Sequence, residues 1–373
     1  MPPISLLIKP ASSLCNIRCA YCFYHSIAEN REIESYGVMK LETLELLVQK
    51  ALSTADQVCG FAFQGGEPTV AGLPFFQKLI EFQKKYNVKK VTISNSIQTN
   101  GILIDEKWAA YLAENNFLVG LSLDGPGEIH DLSRVDVRGR GTFSRVMETV
   151  ALFNRYRVEY NILFVVSAVT ARHPEKIYRF FKKNGFKFLQ FIPCLDPLHE
   201  KPGSNPFSLR SDRYADFLIR LFDLWIDDFK KGEYVSIRWF DNLVGMLMGR
   251  PPEQCGMLGQ CRCQFVVEAD GSVFPCDFYV IDAWRLGNIH EMDLMDMLET
   301  ETAKKFMQYS LPVDPKCREC NHYSLCRGGC RRSREPFSEG IPALNHHCTA
   351  YMKFFDHAVP RMQEAARMLA RPR

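Results

Sequence analysis

The sequence predicts an α/β protein in which six strands alternate with helices over about 190 residues, ahead of a cysteine-rich C-terminal region. Three observations carry this. Short apolar runs alternate with segments whose apolar residues recur at helical spacing. Polar segments rich in Gly, Pro, Asn and Gln follow the runs at their carboxyl ends. The 14 cysteines collect at two places, 15–22 and 255–348, with only Cys59 and Cys194 between them.

Taken in order, the apolar run 4–8, ended by Pro10, reads as a strand. A helix is predicted over 41–51, then a short strand ending at 61–63 before Gly65 and Gly66. Residues 74–82 read as a helix, 91–97 as a strand and 107–112 as a helix. The run 117–123 (FLVGLSL) reads as a strand, 143–153 as a helix and 161–166 (NILFVV) as a strand. Residues 175–183 read as a helix and 186–192 (FKFLQFI) as the sixth strand. Six units fall short of the eight that close a TIM barrel, so an open partial barrel and a flat doubly wound sheet both fit this pattern. Residues 196–208 form a polar loop, 214–229 an amphipathic helix, and 350–369 a final helix. After Pro251 and Pro252 the alternation stops, which places a boundary near residue 245 and predicts domains 1–245 and 246–373.

Composition narrows the function. The chain has 373 residues and 46 Lys+Arg against 43 Asp+Glu, a net charge of +3 that supplies no basic field for nucleic acid. Its 46% hydrophobic content excludes a disordered chain. No run of about 18 apolar residues is present to span a membrane. The start, MPPISLLIKPASS, lacks a basic n-region and a small-residue cleavage site, so the expectation is a cytoplasmic protein. Clustered thiols in a reducing compartment bind metal or do redox chemistry more often than they form disulfides.

The polar segments 12–22, 64–68, 98–101, 124–126 and 193–197 all follow predicted strands, on the edge where parallel α/β folds bind ligands. The first holds Cys15-x3-Cys19-x2-Cys22. Three thiolates in one loop would leave one iron of a four-iron cluster open; zinc completed by a remote residue such as His25 is the alternative that spacing leaves standing.

With Tyr21 and Phe23 around its last cysteine, this motif resembles that of the radical S-adenosylmethionine (SAM) superfamily. The resemblance implies a partial (β/α)6 TIM-like barrel and a 4Fe-4S cluster that binds SAM. It implies that Gly65-Gly66-Glu67-Pro68 receives the SAM amino group through its backbone, where glycine allows close approach. Ser122 and Arg134 would serve the carboxylate and ribose side, and Tyr21, Ile192 and Leu195 the adenine. Gln98 and Asn100 are weaker candidates.

Cys261, Cys276, Cys317, Cys320, Cys326, Cys330 and Cys348, with Gly271 between the first two, resemble the SPASM extension of a subset of these enzymes, and Cys255 adds an eighth thiol. Eight thiolates suffice for two further clusters; two closed zinc sites are the alternative. The family implies one set of Cys255, Cys261, Cys276 and Cys330 and another of Cys317, Cys320, Cys326 and Cys348. Cys59, Cys194 and Cys263 are left over and are expected in the core.

The order of FAFQGGEPT, SIQTNG, GLSLDGP, FIPCLDP, CQFVVEADGSVFPCDFYV and LCRGGCRR is similar to that of the anaerobic sulfatase-maturating enzymes. That resemblance implies three 4Fe-4S clusters, SAM, and O2-independent oxidation of a cysteine or serine in a sulfatase peptide to Cα-formylglycine. SAM cleaved by one electron would give a radical that takes hydrogen from the substrate Cβ. Asp277, directly after Cys276, would be the base, and an auxiliary cluster would take the second electron. An unfolded sulfatase segment and an electron donor such as flavodoxin or ferredoxin are the implied partners. One rival is a radical SAM maturase making cross-links or epimers in a ribosomal peptide. Many of those carry a leader-binding module before the barrel, for which a strand starting near Ile4 leaves no room. The other is a zinc-stabilised binding protein without catalysis.

Overall fold

The computed structural model describes residues 3–338 and 341–370. Its principal strands, in chain order, are β1 (Ile4–Ile8), β2 (Ile17–Cys19), β3 (Val58–Phe63), β4 (Thr92–Thr99), β5 (Leu118–Ser122), β6 (Arg134–Asp136), β7 (Glu159–Val166), β8 (Phe188–Pro193), β9 (Ser236–Ile237), β10 (Val266–Val267), β11 (Ser272–Phe274) and β12 (Gly287–Asn288). The chain forms two compact units that interleave along the sequence. One holds Met1–Ser122, Arg134–Tyr160 and Cys263–Phe306; the other holds Leu123–Ser133, Asn161–Arg262 and Met307–Arg373. Among the described residues no helix is long and apolar enough to cross a membrane.

In the first unit β1, β3, β4 and β5 are parallel neighbours in chain order. A doubly wound sheet would place later parallel strands of its alternating series on both sides of the first. Here the series runs one way only, as in a barrel wall. The free side of β1 is taken by β10, which belongs to the cysteine-rich region and pairs in parallel, Leu7 opposite Val266 and Ile8 opposite Val267. An open series leaves β1 as an edge with unpaired amides. The amides of Leu7 and Lys9 donate to the carbonyls of Phe265 and Val267 at 3.1 and 2.8 Å. β11 and β12 extend this edge antiparallel. None of β10–β12 was expected, because strands of two or three residues show no readable period.

Alternation sets the core of this unit. Cys59, Phe61 and Phe63 of β3 are buried, and Phe63 meets Phe76 of the helix Leu73–Tyr86 edge to face at 5.0 Å. That helix and Leu41–Thr54 each bury one apolar stripe.

In the second unit β7, β8 and β9 are parallel. Phe164 and Phe191 from β7 and β8 pack with Phe217 of the helix Ser211–Lys230. The helix Cys348–Ala370 adds Phe354, which stacks on Phe240 at 5.7 Å. Cys194, like Cys59, is buried as expected. Cys263 differs: it is half-buried, in the irregular segment that precedes β10.

Candidate active site

The loop after β1 carries the first three cysteines. β2 lies within it and pairs antiparallel with β6, which sets Cys19 opposite Arg134. The Arg134 guanidinium then points Nη1 at Cys19 Sγ at 3.7 Å and lies over the Tyr21 ring at 5.5 Å. From the end of β4, Asn100 aims Nδ2 at Cys15 Sγ at 3.8 Å and at Asn16 Oδ1 at 2.8 Å. Burial pushes the Cys15 thiol up to about 11, with the Cys22 charge adding to the rise, and burial pushes Cys22 upward as well, opposed by Arg134 and Lys9. Thiols so placed hold their protons until a cation displaces them. Two donors aimed at sulfur suit thiolates that ligate iron. Among the described residues no three Cys, His, Asp or Glu side chains converge as one metal ion requires. Three thiolates spread along one loop suit a cube of four irons, which takes its thiolates at separate corners.

Gly65 and Gly66 follow β3 with φ of +105° and +55°. A Cβ at Gly66 would stand 2.3 Å from the Leu14 carbonyl oxygen, and one at Gly65 would meet Lys9 Nζ at the same distance. The close approach that requires glycine here is to the cysteine loop itself, which the Glu67 amide also grips through Leu14 O at 2.8 Å. The buried Glu67 carboxylate accepts from Thr69 N, Thr69 Oγ1, Thr99 Oγ1 and Asn100 N at 2.6–3.0 Å. It pins the end of β3 to the end of β4. Burial raises its pKa, and the four donors oppose that rise. Ser122, at the end of β5, accepts from Gln98 Nε2 at 3.0 Å. Ile192 and Leu195 lie in the second unit, half-buried at the end of β8 and just past it.

Asp277 opens a single 3-10 turn after Cys276 and is 5% exposed. Its Oδ2 accepts from Tyr24 Oη at 2.5 Å and Gln64 Nε2 at 3.1 Å, and its Oδ1 faces Lys9 Nζ at 3.4 Å. Gln64 also reaches Tyr24 Oη at 2.8 Å, and Lys9 stands over the Tyr24 ring at 4.1 Å. Burial, then the Asp277 charge, raises the Tyr24 pKa well above the usual phenol value, so its hydroxyl is a donor. Lys9 and Tyr24 escaped the sequence reading, and Gln64 entered it only as the start of the polar segment 64–68. Their signals were a lysine closing an apolar strand, a second aromatic after the cysteine motif, and a glutamine directly before the glycine pair.

The helix Phe23–Glu29 and the residues after it clasp the segment that carries Asp277. Phe23 meets Phe278 at 5.2 Å, the Glu32 amide donates to Asp282 at 2.9 Å, and Arg31 bonds Glu268 at 2.6 Å with both side chains buried.

The later cysteines form neighbourhoods. Cys255, Cys261 and Cys330 lie within electrostatic reach of one another, and burial drives Cys261 up to about 12. Cys317, Cys320, Cys326 and Cys348 form another group, with Cys326 pushed by burial up to about 11. All seven belong to the second unit; Cys276 follows β11 in the first.

Comparison with known proteins accords with this arrangement. The radical SAM superfamily model matches residues 10–181, and the SPASM iron-sulfur cluster-binding domain matches 255–321. The chain is 54% identical over 366 residues to a cysteine-type anaerobic sulfatase-maturating enzyme of Clostridium perfringens, covering 98% of this chain and 99% of that protein. It is 50% identical to the enzyme of the same description from Clostridium novyi, covering 99% of each. The solved structure of native anSMEcpe with bound AdoMet and Cp18Cys peptide superposes with a TM-score of 0.95 at 52% identity, covering 99% of this chain and 100% of that one. The chain belongs to the anaerobic sulfatase-maturating enzymes of the radical SAM superfamily.

Proposed function

We propose that this enzyme oxidises a cysteine in a sulfatase polypeptide to Cα-formylglycine without O2. The observation that carries the reading is the buried Asp277 carboxylate. It is held by Lys9, Tyr24 and Gln64, and the segment bearing it is clasped by the residues that follow the first three cysteines. Identity of 54% to a cysteine-type enzyme supports cysteine as the residue oxidised.

Cys15, Cys19 and Cys22 hold the cluster that binds SAM, with Gly65, Gly66, Ser122 and Arg134 serving SAM. Cys255, Cys261 and Cys330 hold one auxiliary cluster, to which the family resemblance adds Cys276. Cys317, Cys320, Cys326 and Cys348 hold the other. When bound, SAM at the first cluster would supply hydrogen-abstracting power at the substrate Cβ, and an auxiliary cluster would supply a one-electron acceptor. The chain's own residues move the proton. Asp277 accepts it from the substrate thiol, so that Cβ and sulfur form a thioaldehyde, and water replaces sulfur to leave the aldehyde and hydrogen sulfide. Lys9, Tyr24 and Gln64 fix the direction of the two carboxylate oxygens, and Lys9 offsets their charge in a site shielded from water. An electron donor such as flavodoxin or ferredoxin supplies electrons. The family models fall on either side of residue 245, which supports 1–245 and 246–373 as the functional division.

The test is anaerobic incubation of iron-loaded enzyme with SAM, dithionite and a cysteine-containing sulfatase peptide, followed by mass spectrometry. Replacement of the thiol by a carbonyl is the expected product. Loss of two hydrogens with sulfur retained would indicate cross-linking and contradict the reading.

A further inference from the structure

Directly after Cys330 the chain forms one 3-10 turn, Arg331–Arg334, in which all four residues are buried. Arg334 is 2% exposed. Its Nη1 and Nη2 donate to the carbonyls of Pro312 and Ser310 at 3.0 and 2.9 Å, and its Nε has no partner. Among the described residues it pairs with no carboxylate. A guanidinium taken out of water against neutral carbonyls alone is costly unless negative charge lies nearby.

The surroundings supply that charge once iron is present. Gly328 lies between Cys326 and Cys330 in the sequence, and a Cβ there would stand 3.7 Å from Arg334 Nη1, so the guanidinium packs on the loop joining these two cysteines. Cys326 belongs to one neighbourhood of thiols and Cys330 to the other. Ser310, whose carbonyl holds Nη2, also accepts from the amide of Cys261 through its hydroxyl at 2.8 Å. The guanidinium thus lies against the loop that joins a ligand of one set to a ligand of the other.

We infer that Arg334 is a counter-charge shared by the two auxiliary clusters and raises the reduction potential of each. This rests on the cluster assignment proposed above. Four thiolates outweigh the positive charge of a cubane core, and reduction adds a further negative charge. A buried cation nearby stabilises the reduced form more than the oxidised one.

The experiment is an EPR-monitored redox titration of the iron-loaded enzyme, with iron and sulfide counted per chain, on wild type, Arg334→Gln and Arg334→Lys. The SAM-binding cluster, distinguished by its spectral change on adding SAM, is the internal reference. Arg334→Gln should move both auxiliary midpoints to more negative values and leave the reference in place. Arg334→Lys, which keeps the charge but not the two-pronged grip on Ser310 and Pro312, should stay near wild type. If Arg334→Gln fails to load auxiliary iron while Arg334→Lys loads it, charge is again the requirement. Equal shifts or equal iron loss in the two variants would show that the grip on the carbonyls matters and the charge does not, which overturns the inference. Unmoved auxiliary midpoints in fully loaded Arg334→Gln overturn it too. Wild type holding iron for one cluster alone would overturn the assignment, and this inference with it.

Discussion

Replacing Asp277 with Asn separates binding from proton transfer. The side chain keeps its shape, but one of two acceptor oxygens becomes an NH2 group. Three donors converge on the carboxylate, from Lys9, Tyr24 and Gln64 at 3.4, 2.5 and 3.1 Å. The amide can accept on one oxygen only, so a donor must face a donor, and the proton acceptor is gone. General-base groups contribute about 10²–10⁴-fold, or roughly 3–5 kcal/mol of barrier. Cys15, Cys19 and Cys22 are untouched by the substitution. SAM cleavage should therefore persist while aldehyde formed per deoxyadenosine released falls by about 10²-fold or more. The assay is anaerobic turnover of a cysteine peptide, with both products quantified by liquid chromatography and mass spectrometry. An unchanged ratio would remove Asp277 from proton transfer. Parallel loss of both products would show that it supports the cysteine loop and has no separate part in the chemistry.

Tyr24→Phe removes the shortest donor to Asp277; a hydrogen bond to a charged group contributes about 1.5–3 kcal/mol, so aldehyde formation should slow by about 10–100-fold with SAM cleavage retained, as the same assay would show. Gly66→Ala puts a Cβ against the Leu14 carbonyl in a backbone conformation with positive φ, and should lower iron bound at the first cluster, read as SAM-dependent EPR signal per chain. Arg31→Met leaves Glu268 charged and buried without its partner, a loss of about 3–5 kcal/mol, whereas Arg31→Met with Glu268→Leu should recover much of it; equal urea midpoints for the single and double variants would contradict this.

The alternating series β1, β3, β4, β5, β7 and β8 was legible because each of its strands has five residues or more, enough to show a period, whereas the three-residue β2 and β6 were not. β1 runs from Ile4 to Ile8 as expected, and the helices 41–51 and 74–82 extend only a few residues beyond the predicted spans, to Thr54 and Tyr86. The return of the cysteine-rich region to the edge of β1 was not legible. It depends on unsatisfied amides of an open strand, a demand visible only once the sheet is known not to close. The cysteines could be read because ligand spacing is local. The partners of Asp277 could not: Lys9 lies 268 residues away in sequence and Tyr24 lies 253 away, and neither belongs to a motif. Arg334 shows the same limit, since its distinction from the neighbouring arginines lies in which carbonyls and thiols surround it.

The account rests most directly on the coupling of SAM cleavage to cysteine oxidation at this site. The decisive measurement is the ratio of deoxyadenosine to formylglycine in oxygen-free turnover of the iron-loaded enzyme with a cysteine-containing sulfatase peptide. The account predicts near-equal amounts of the two, with both abolished by replacing Cys15, Cys19 and Cys22 with Ala. Formylglycine made by that triple variant, or deoxyadenosine released by wild type with the peptide thiol intact, would contradict it.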